Sequence, residues 1–264
     1  MRFLSVCFVW LITSLVFIGC GGGEQADPGS GNTAEAPSET AAVSEKKQVD
    51  PATTGSVSGK VNYSGKAGRQ ARIRMNADPN CAKQHQSPIY SADLKINENG
   101  TLQNAFVWVS SGLEDYAFDT PSEAVELDQK GCVYVPHVLG IQTGQNLNVL
   151  NSDGTTHNIN PSPAQNRDWN ISQAPNSDPI VKKFARAEIM IPIKCNVHPW
   201  MKSYLGVVSH PYFTVTGADG SFELKGLPPG EYTVESWHEK LGVQKQTVTV
   251  LSGEDQATDF SYGS

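Results

Sequence analysis

The sequence predicts an all-β protein, and its composition, alternation and turn residues all point the same way. Its 264 residues are 38% hydrophobic and only 18% charged, with 24 glycines and 16 prolines, which is typical of β-rich domains rather than helical bundles. Several short segments alternate apolar and polar residues, as half-buried strands do. Glycine, proline, aspartate and asparagine separate them, for example at 217–220 and 226–230. No part of the sequence sustains the 3.6-residue period of an amphipathic helix.

Ten segments have the pattern of strands, and they begin near Gly55. The first, residues 56–63, alternates apolar and polar side chains. The others, in chain order, are 105–109, 132–135, 146–150, 188–193, 204–208, 212–216, 221–224, 232–237 and 246–250. They follow one another most closely near the C-terminus, so that part of the chain should be the densest in strands.

A secretory signal is predicted at the N-terminus. An apolar run, residues 3–18, follows Arg2, and it is too short and wrongly flanked to span a membrane. Residues 17–20 resemble a bacterial lipobox, with a phenylalanine and an isoleucine where leucine and a small residue are usual. The resemblance implies cleavage of residues 1–19 and attachment of lipid to Cys20. An ordinary signal peptide cut nearby is the alternative.

Residues 20–54 are predicted to be a flexible tether. From residue 24 they are rich in alanine, glutamate, serine, threonine, glycine and proline, so they cannot bury enough apolar surface to offset chain entropy. A lipid on Cys20 would hold the folded region off a bacterial membrane, on its periplasmic or cell-surface side, after export across the inner membrane. The formal net charge of −7 argues against nucleic acid as a partner.

Four side chains in two segments have the chemistry of a copper site. His157 follows a polar stretch, whereas Cys195, His198 and Met201 follow an apolar, strand-like one. Thiolate and thioether sulfur suit Cu(I), and imidazole suits both oxidation states, so this set lets one copper ion cycle with little rearrangement. The set therefore predicts electron transfer rather than hydrolysis.

The cysteines leave one pairing question open. In an oxidising compartment Cys81, Cys132 and Cys195 remain beyond the signal and the lipidation site. If Cys195 is a metal thiolate, Cys81 and Cys132 can form a disulfide. A bridge from Cys195 to either of them would abolish the metal site, and the sequence alone does not fix the connectivity.

The segment 105–208 resembles a cupredoxin domain. Residues 143–153, followed by His157 and Asn158, are similar to the strand and first ligand loop of that family, and the second ligand loop is matched by residues 195–201. The resemblance implies a Greek-key β-sandwich in which one copper ion is bound by two imidazoles, one thiolate and an axial thioether. These would come from His157, His198, Cys195 and Met201. It also implies that Asn158 links the two ligand loops by hydrogen bonds.

The spacing of the second ligand loop leaves the axial ligand open. Plastocyanin- and azurin-like proteins have more residues between the second histidine and the methionine. The His-x-x-Met spacing resembles the binuclear copper loop instead, but that loop carries two cysteines and this one has only Cys195. A mononuclear site is therefore expected, with Met201 as the axial ligand or His137 as a substitute or additional one.

The cupredoxin resemblance also implies a route for the electron. The histidine of the later loop usually lies near the surface in that family. His198 would then be the exit, and Pro199 and Trp200 would supply a flat apolar docking patch for a redox partner protein.

A second resemblance covers both ends of the folded region. Residues 219–234 look like a carboxypeptidase regulatory-like β-sandwich, and the resemblance covers residues 55–68 and the chain from Thr214 to the C-terminus. This motif is specific for the fold and nearly silent about function. It implies N-terminal strands in 55–104 that partly belong to the sandwich, the cupredoxin-like domain in 105–208, and the remaining sandwich in 209–264. Because matching pieces lie at both ends, the cupredoxin-like part is expected to be inserted between strands of this sandwich, and two tandem domains are the alternative.

The sequence predicts a lipid-anchored copper protein that carries single electrons in an extracytoplasmic redox chain. A copper chaperone or storage lipoprotein would use the same ligands, and a metal-free β-sandwich binding module at the cell surface is a third reading. An enzyme is not expected, because one copper ion with four protein ligands has no open position for substrate.

Overall fold

The computed structural model describes residues 46–263, which form nineteen β-strands and one short helix. The prediction of an all-β chain built from β-sandwiches is confirmed. The predicted signal at 1–19, the lipidation site Cys20 and most of the predicted tether lie outside the described residues. Within the described part, no helix is long and apolar enough to cross a membrane.

The strands, in chain order, are β1 (Gly55–Tyr63), β2 (Lys95–Ile96), β3 (Leu102–Gln103), β4 (Phe106–Ser111), β5 (Val125–Gln129), β6 (Tyr134–Val135), β7 (Val138–Gln142), β8 (Leu147–Asn151), β9 (His157–Pro161), β10 (Ile171–Gln173), β11 (Ile180–Lys182), β12 (Glu188–Lys194), β13 (Lys202–Val208), β14 (Phe213–Val215), β15 (Ser221–Leu227), β16 (Gly230–His238), β17 (Gly242–Val250), β18 (Asp255–Ala257) and β19 (Phe260–Tyr262). The helix, α1 (Pro79–Ala82), lies between β1 and β2.

The strands build two sandwiches. In the terminal sandwich, one sheet pairs β1 with β15, β18 and β19, and the other has the order β14-β4-β16-β17. In the inner sandwich, the sheets have the orders β10-β9-β12-β13-β7 and β11-β8-β5-β6. Each sandwich has its own buried apolar core. Because β5 to β13 run consecutively, the whole inner sandwich lies in sequence between β4 and β14 of the terminal sandwich.

The boundary between the two sandwiches lies after β4, and not at residue 105 as predicted. Strand β4 lies in the segment assigned to the cupredoxin-like domain, yet it pairs with β14 and β16 of the terminal sandwich. Both faces of β4 are buried: Val107 and Val109 face the terminal core, whereas Phe106 and Trp108 belong to a separate cluster between the sandwiches. A strand buried on both faces has an apolar run that does not reveal which sheet it joins.

Two glycines of the inner sandwich make room for that cluster. Gly140 of β7 and Gly206 of β13 are paired in register, and the ring of Phe106 lies against both. A Cβ atom on Gly206 would lie 2.5 Å from Cζ of Phe106, and one on Gly140 would lie 2.7 Å from its Cε2. The sandwiches therefore pack together through aromatic side chains on β4 against a bare stretch of β7 and β13.

A loop from the terminal sandwich reaches the inner one. Residues 72–90, which we call the cap loop, are closed by a bridge between Arg72 and Tyr90 and contain α1. Met75 and Cys81 of this loop are buried in the core of the inner sandwich. The prediction placed this stretch among the N-terminal strands, but its apolar side chains pack on the other domain.

The folded region also starts earlier than predicted. Lys47, in the segment predicted as tether, forms a bridge with Tyr116, and the amide of Gly253 donates to the carbonyl of Thr53. These backbone hydrogen bonds fix residues that the composition alone marks as flexible, so the folded region includes residues from Lys47 onward.

Candidate metal centre

Three of the four predicted ligands lie together at one end of the inner sandwich. His157 is the first residue of β9, and Cys195 and His198 lie in the loop between β12 and β13. One ligand atom of each lies within 4.8 Å of the other two. The two Nδ1 atoms are 2.8 Å apart, and Cys195 Sγ is 3.8 Å from His198 Nδ1. All three side chains are at most 2% exposed.

The ligand loop is closed by its own backbone. The amide of Cys195 donates to the carbonyl of Met201 at 3.3 Å, and the amide of Met201 donates to the carbonyl of His198 at 2.9 Å. The amide of His198 points at Cys195 Sγ, 3.4 Å away. This tight turn brings Cys195 and His198 together, and the side chain of Met201 is buried in the core that also contains Cys195.

Each imidazole is bound on its distal nitrogen by a carboxylate. Asp153 Oδ2 lies 2.8 Å from His157 Nε2, and Asp78 Oδ2 lies 2.9 Å from His198 Nε2. A carboxylate can only accept, so each Nε2 carries its proton and each Nδ1 faces the cluster. Sequence reasoning missed both carboxylates. Asp153 precedes His157 by one polar turn, which is a usable signal, but nothing local to Asp78 connects it with His198.

Asn158 joins the two ligand segments. Its Oδ1 accepts from the amide of Asn196 at 2.6 Å and lies 3.3 Å from Cys195 Sγ. The Asn158 carbonyl accepts from the hydroxyl of Tyr134 at 2.6 Å. This is the link between the loops that the cupredoxin resemblance implies, with Tyr134 as an additional brace that the sequence did not indicate.

The electrostatics favour an ionised thiol. Burial raises the pKa of Cys195, but hydrogen bonds from His157 and from nearby backbone outweigh it and lower the pKa to about 6. Burial lowers the pKa of His157, but Asp153 and then Cys195 outweigh it and raise that pKa to about 9. Between these values Cys195 is a thiolate, which is the form that binds metals.

Cys81 and Cys132 form a disulfide, and Cys195 is a free, buried cysteine. The disulfide joins α1 of the cap loop to the inner sandwich beside the cluster: Cys81 Sγ lies 3.5 Å from His198 Nε2. The Cys132 amide donates to Asp153 Oδ2 at 2.7 Å. The pairing that leaves Cys195 available is therefore the one in the structure.

His137 does not lie in the cluster. Its Nε2 is 2.6 Å from Glu239 Oε1, and the other oxygen of Glu239 contacts Lys202 Nζ at 2.9 Å. These groups lie where the inner sandwich meets the β16–β17 turn. The structure thus gives His137 a carboxylate partner away from the site in place of the proposed role as substitute or additional ligand.

His198 is not at the surface, contrary to what the cupredoxin resemblance implies. The cap loop covers its distal nitrogen with Asp78, and the ring centroid of Trp200 lies 5.1 Å from that of His198. Trp200 is half-buried, and its Nε1 donates to the carbonyl of Cys132 at 2.9 Å. Of the predicted patch only Pro199 is exposed, beside Val197.

No protein-family model matches the chain, and no curated protein matches it. Among solved structures it is similar to a copper-containing nitrite reductase from Thermus scotoductus, at 18% identity over 37% of this chain, with a TM-score of 0.30. The match spans 24% of that enzyme, less than two thirds of its length. A purple cupredoxin from Nitrosopumilus maritimus matches at 19% identity over 31% of this chain and 97% of its own, with a TM-score of 0.27. An amicyanin variant in its Cu(I) form matches at 17% identity over 32% of this chain and 81% of its own, with a TM-score of 0.28.

Proposed function

We propose that this chain binds one copper ion through His157, Cys195 and His198, with Met201 as axial ligand, and carries single electrons. The observation that supports this most is the buried thiolate beside two imidazole Nδ1 atoms, with both distal nitrogens already bound by carboxylates. Soft sulfur together with imidazole favours copper, and methionine is a poor ligand for zinc.

The surrounding residues fit a site that changes little between two oxidation states. Copper, when bound, supplies reversible one-electron chemistry. The chain supplies the rest: Asn158 and Tyr134 hold the ligand segments together, and the two carboxylates orient the imidazoles. Burial of all three ligands keeps water from the cluster. A pre-shaped, dry site favours electron transfer because little has to reorganise.

Burial also separates this proposal from the alternatives. A copper chaperone must hand its ion to a partner, which calls for accessible ligands, whereas Cys195 and His198 are 2% exposed and His157 is 0% exposed. Four protein ligands would leave no position for substrate, so we propose a carrier rather than an enzyme. A metal-free binding module would not need a free thiol aligned with two histidines.

The proposed setting is outside the cytoplasm. A disulfide between Cys81 and Cys132 suits an oxidising compartment. We propose that residues 1–19 are a signal peptide, that a lipid on Cys20 anchors the chain to a bacterial membrane, and that the terminal sandwich is a carboxypeptidase regulatory-like domain carrying a cupredoxin-like one. The partner would be another redox protein, docking where Val197 and Pro199 are exposed.

The test is Cu(II) titration of the full chain, followed by absorption and EPR spectroscopy. We expect one equivalent of copper and an intense visible thiolate-to-copper band. Cys195→Ser should remove the band. His210→Gln, which changes a buried histidine of the terminal sandwich, is the matched control and should retain it. Tight binding of Cu(I) without a reversible redox wave would favour the chaperone, and absence of stoichiometric copper would overturn the proposal.

A further inference from the structure

One carboxylate connects the cap loop to the ligand loop over a separation of 120 residues. Asp78 uses both of its oxygens. Its Oδ1 accepts from the amide of Asn80 at 2.8 Å and so caps α1, while its Oδ2 lies 2.9 Å from His198 Nε2. Neither oxygen can rotate away without breaking one of these hydrogen bonds, so the acceptor that faces His198 is fixed in place.

This contact determines which nitrogen of His198 faces the other ligands. The proton on Nε2 donates to Asp78, which leaves the lone pair of Nδ1 directed at His157 Nδ1 and Cys195 Sγ. On the opposite side, Asp153 accepts from Nε2 of His157, and Nδ1 of that ring also faces the cluster. In both histidines, therefore, Nε2 is bound to a carboxylate and Nδ1 faces the cluster.

The disulfide links these two pairs. Cys81 lies in the helix that Asp78 caps, and Cys132 donates its amide to Asp153. One covalent bridge thus ties the outer partner of His198 to the outer partner of His157. The same Cys132 also holds Trp200 beside His198, because its carbonyl accepts from Trp200 Nε1.

We propose that Asp78 is a positioning residue for His198 as a copper ligand, and that the Cys81–Cys132 disulfide holds it there. The inference rests on the proposed function, since it takes His198 to be a ligand. Two effects follow. Fixing the tautomer keeps Nδ1 available, and outer partners of this kind typically change metal affinity about 10- to 100-fold. The negative charge also stabilises Cu(II) more than Cu(I), and so lowers the reduction potential of the site.

Asp78→Asn is the discriminating variant. It keeps an oxygen that can cap Asn80, and it places an amide donor where His198 needs an acceptor. Asp219→Asn is the matched control, because Asp219 accepts in the same way from the amide of Ser221, two residues on, but lies in the terminal sandwich. In Asp78→Asn, Cu(II) affinity should fall about 10- to 100-fold and the reduction potential should rise. In Asp219→Asn both should stay unchanged.

A second readout needs no copper. Nitrogen-15 chemical shifts of His198 in the metal-free full chain should report the Nε2–H tautomer, and Asp78→Asn should shift it toward Nδ1–H. An Nε2–H tautomer in a chain that never binds copper would overturn the proposed function but leave the orienting contact standing. Unchanged affinity, potential and tautomer in Asp78→Asn would overturn the inference while copper binding survives.

Folding of the variant is checked separately. Should Asp78→Asn fail to fold, Asp78→Ser keeps a capping hydroxyl too short to reach His198 and gives the same comparison. The wild-type tautomer remains decisive in either case: a dominant Nδ1–H form in the unmodified chain overturns the inference by itself.

Discussion

His157 and His198 face one another through their Nδ1 atoms, 2.8 Å apart, beside the free thiol of Cys195. Two lone pairs cannot lie that close, so one Nδ1 carries a proton that the other accepts. The raised pKa of His157, about 9, identifies it as the donor. Without metal, a proton thus occupies the space between the ligands.

Copper binding should therefore release protons, in a number that depends on pH. His157 is protonated below about pH 9, and Cys195 is deprotonated above about pH 6. Between these values each copper ion should displace one proton, and below pH 6 a second one from the thiol. Apparent affinity should rise tenfold per pH unit in that window. Calorimetry in buffers of different ionisation enthalpy measures the protons; a pH-independent affinity from pH 6.5 to 8.5 would contradict the prediction.

Replacing Met201 should change the spectrum and the reduction potential of the proposed copper site without preventing copper binding. Its backbone closes the ligand loop, and its side chain is buried in the core around Cys195. In Met201→Gln, the thiolate-to-copper band should persist but change position, and the reduction potential should change with it, because a weak axial ligand tunes blue-copper sites. His137→Gln should leave the spectrum unaltered. A shift in the His137 variant, with none in Met201→Gln, would reverse the assignment of the axial ligand.

Much of this site could be predicted because its candidate metal-binding residues lie in two short motifs. Cys195, His198 and Met201 lie within one turn, and His157 is the first residue of a strand that follows a polar loop. A cysteine, two histidines and a methionine at this spacing are an unusual combination. Apolar segments before and after residues 195–201 also predicted the two strands that flank this loop. Local patterns of this kind survive folding, so three of the predicted ligand residues lie close together.

The outer surroundings could not be predicted, because they depend on long-range contacts. Asp78 reaches His198 only because the cap loop leaves the terminal sandwich and is bridged to Cys132. A lone aspartate before a proline looks like a helix cap, which it also is. The cap loop also buries His198, which the cupredoxin resemblance places near the surface. That resemblance covers residues 105–208 and therefore does not include the cap loop.

Trp200 should lie on the route by which electrons leave. Its ring contacts His198 at a centroid distance of 5.1 Å and is half-buried, whereas His198 itself is covered. Trp200→Ala should slow electron exchange with a partner while leaving the copper spectrum nearly unchanged. Val243→Ala, which trims an exposed valine of the terminal sandwich, is the control for general surface effects. Stopped-flow exchange kinetics decide; equal rates for the wild type and the Trp200 variant would rule out the role.

The junction between the sandwiches should tolerate no added side chain at Gly206. A Cβ there would meet Phe106 Cζ at 2.5 Å and Met190 Cε at 2.7 Å. Gly206→Ala must push both side chains aside, and overpacking of this kind typically costs about 1–3 kcal/mol. Gly68→Ala has nothing within 4 Å and should be close to neutral. Urea unfolding compares the two variants, and equal midpoints would show that the junction is loosely packed.

Acid should destabilise the terminal sandwich through His210. Burial lowers the pKa of His210 to about 4, and its Nε2 donates to the carbonyl of Val109 at 2.9 Å. The folded state keeps the ring neutral, whereas the unfolded chain protonates it below its ordinary value of 6.5. The stabilisation is therefore complete above pH 6.5 and is lost as the pH falls toward 4, by about 3 kcal/mol for a shift of this size. His210→Gln can keep the hydrogen bond but cannot titrate, so its free energy of unfolding should fall less than that of the wild type between pH 7.5 and 4.5. Urea titrations at both values measure the difference, and parallel losses in the two proteins would show that His210 is not the group responsible.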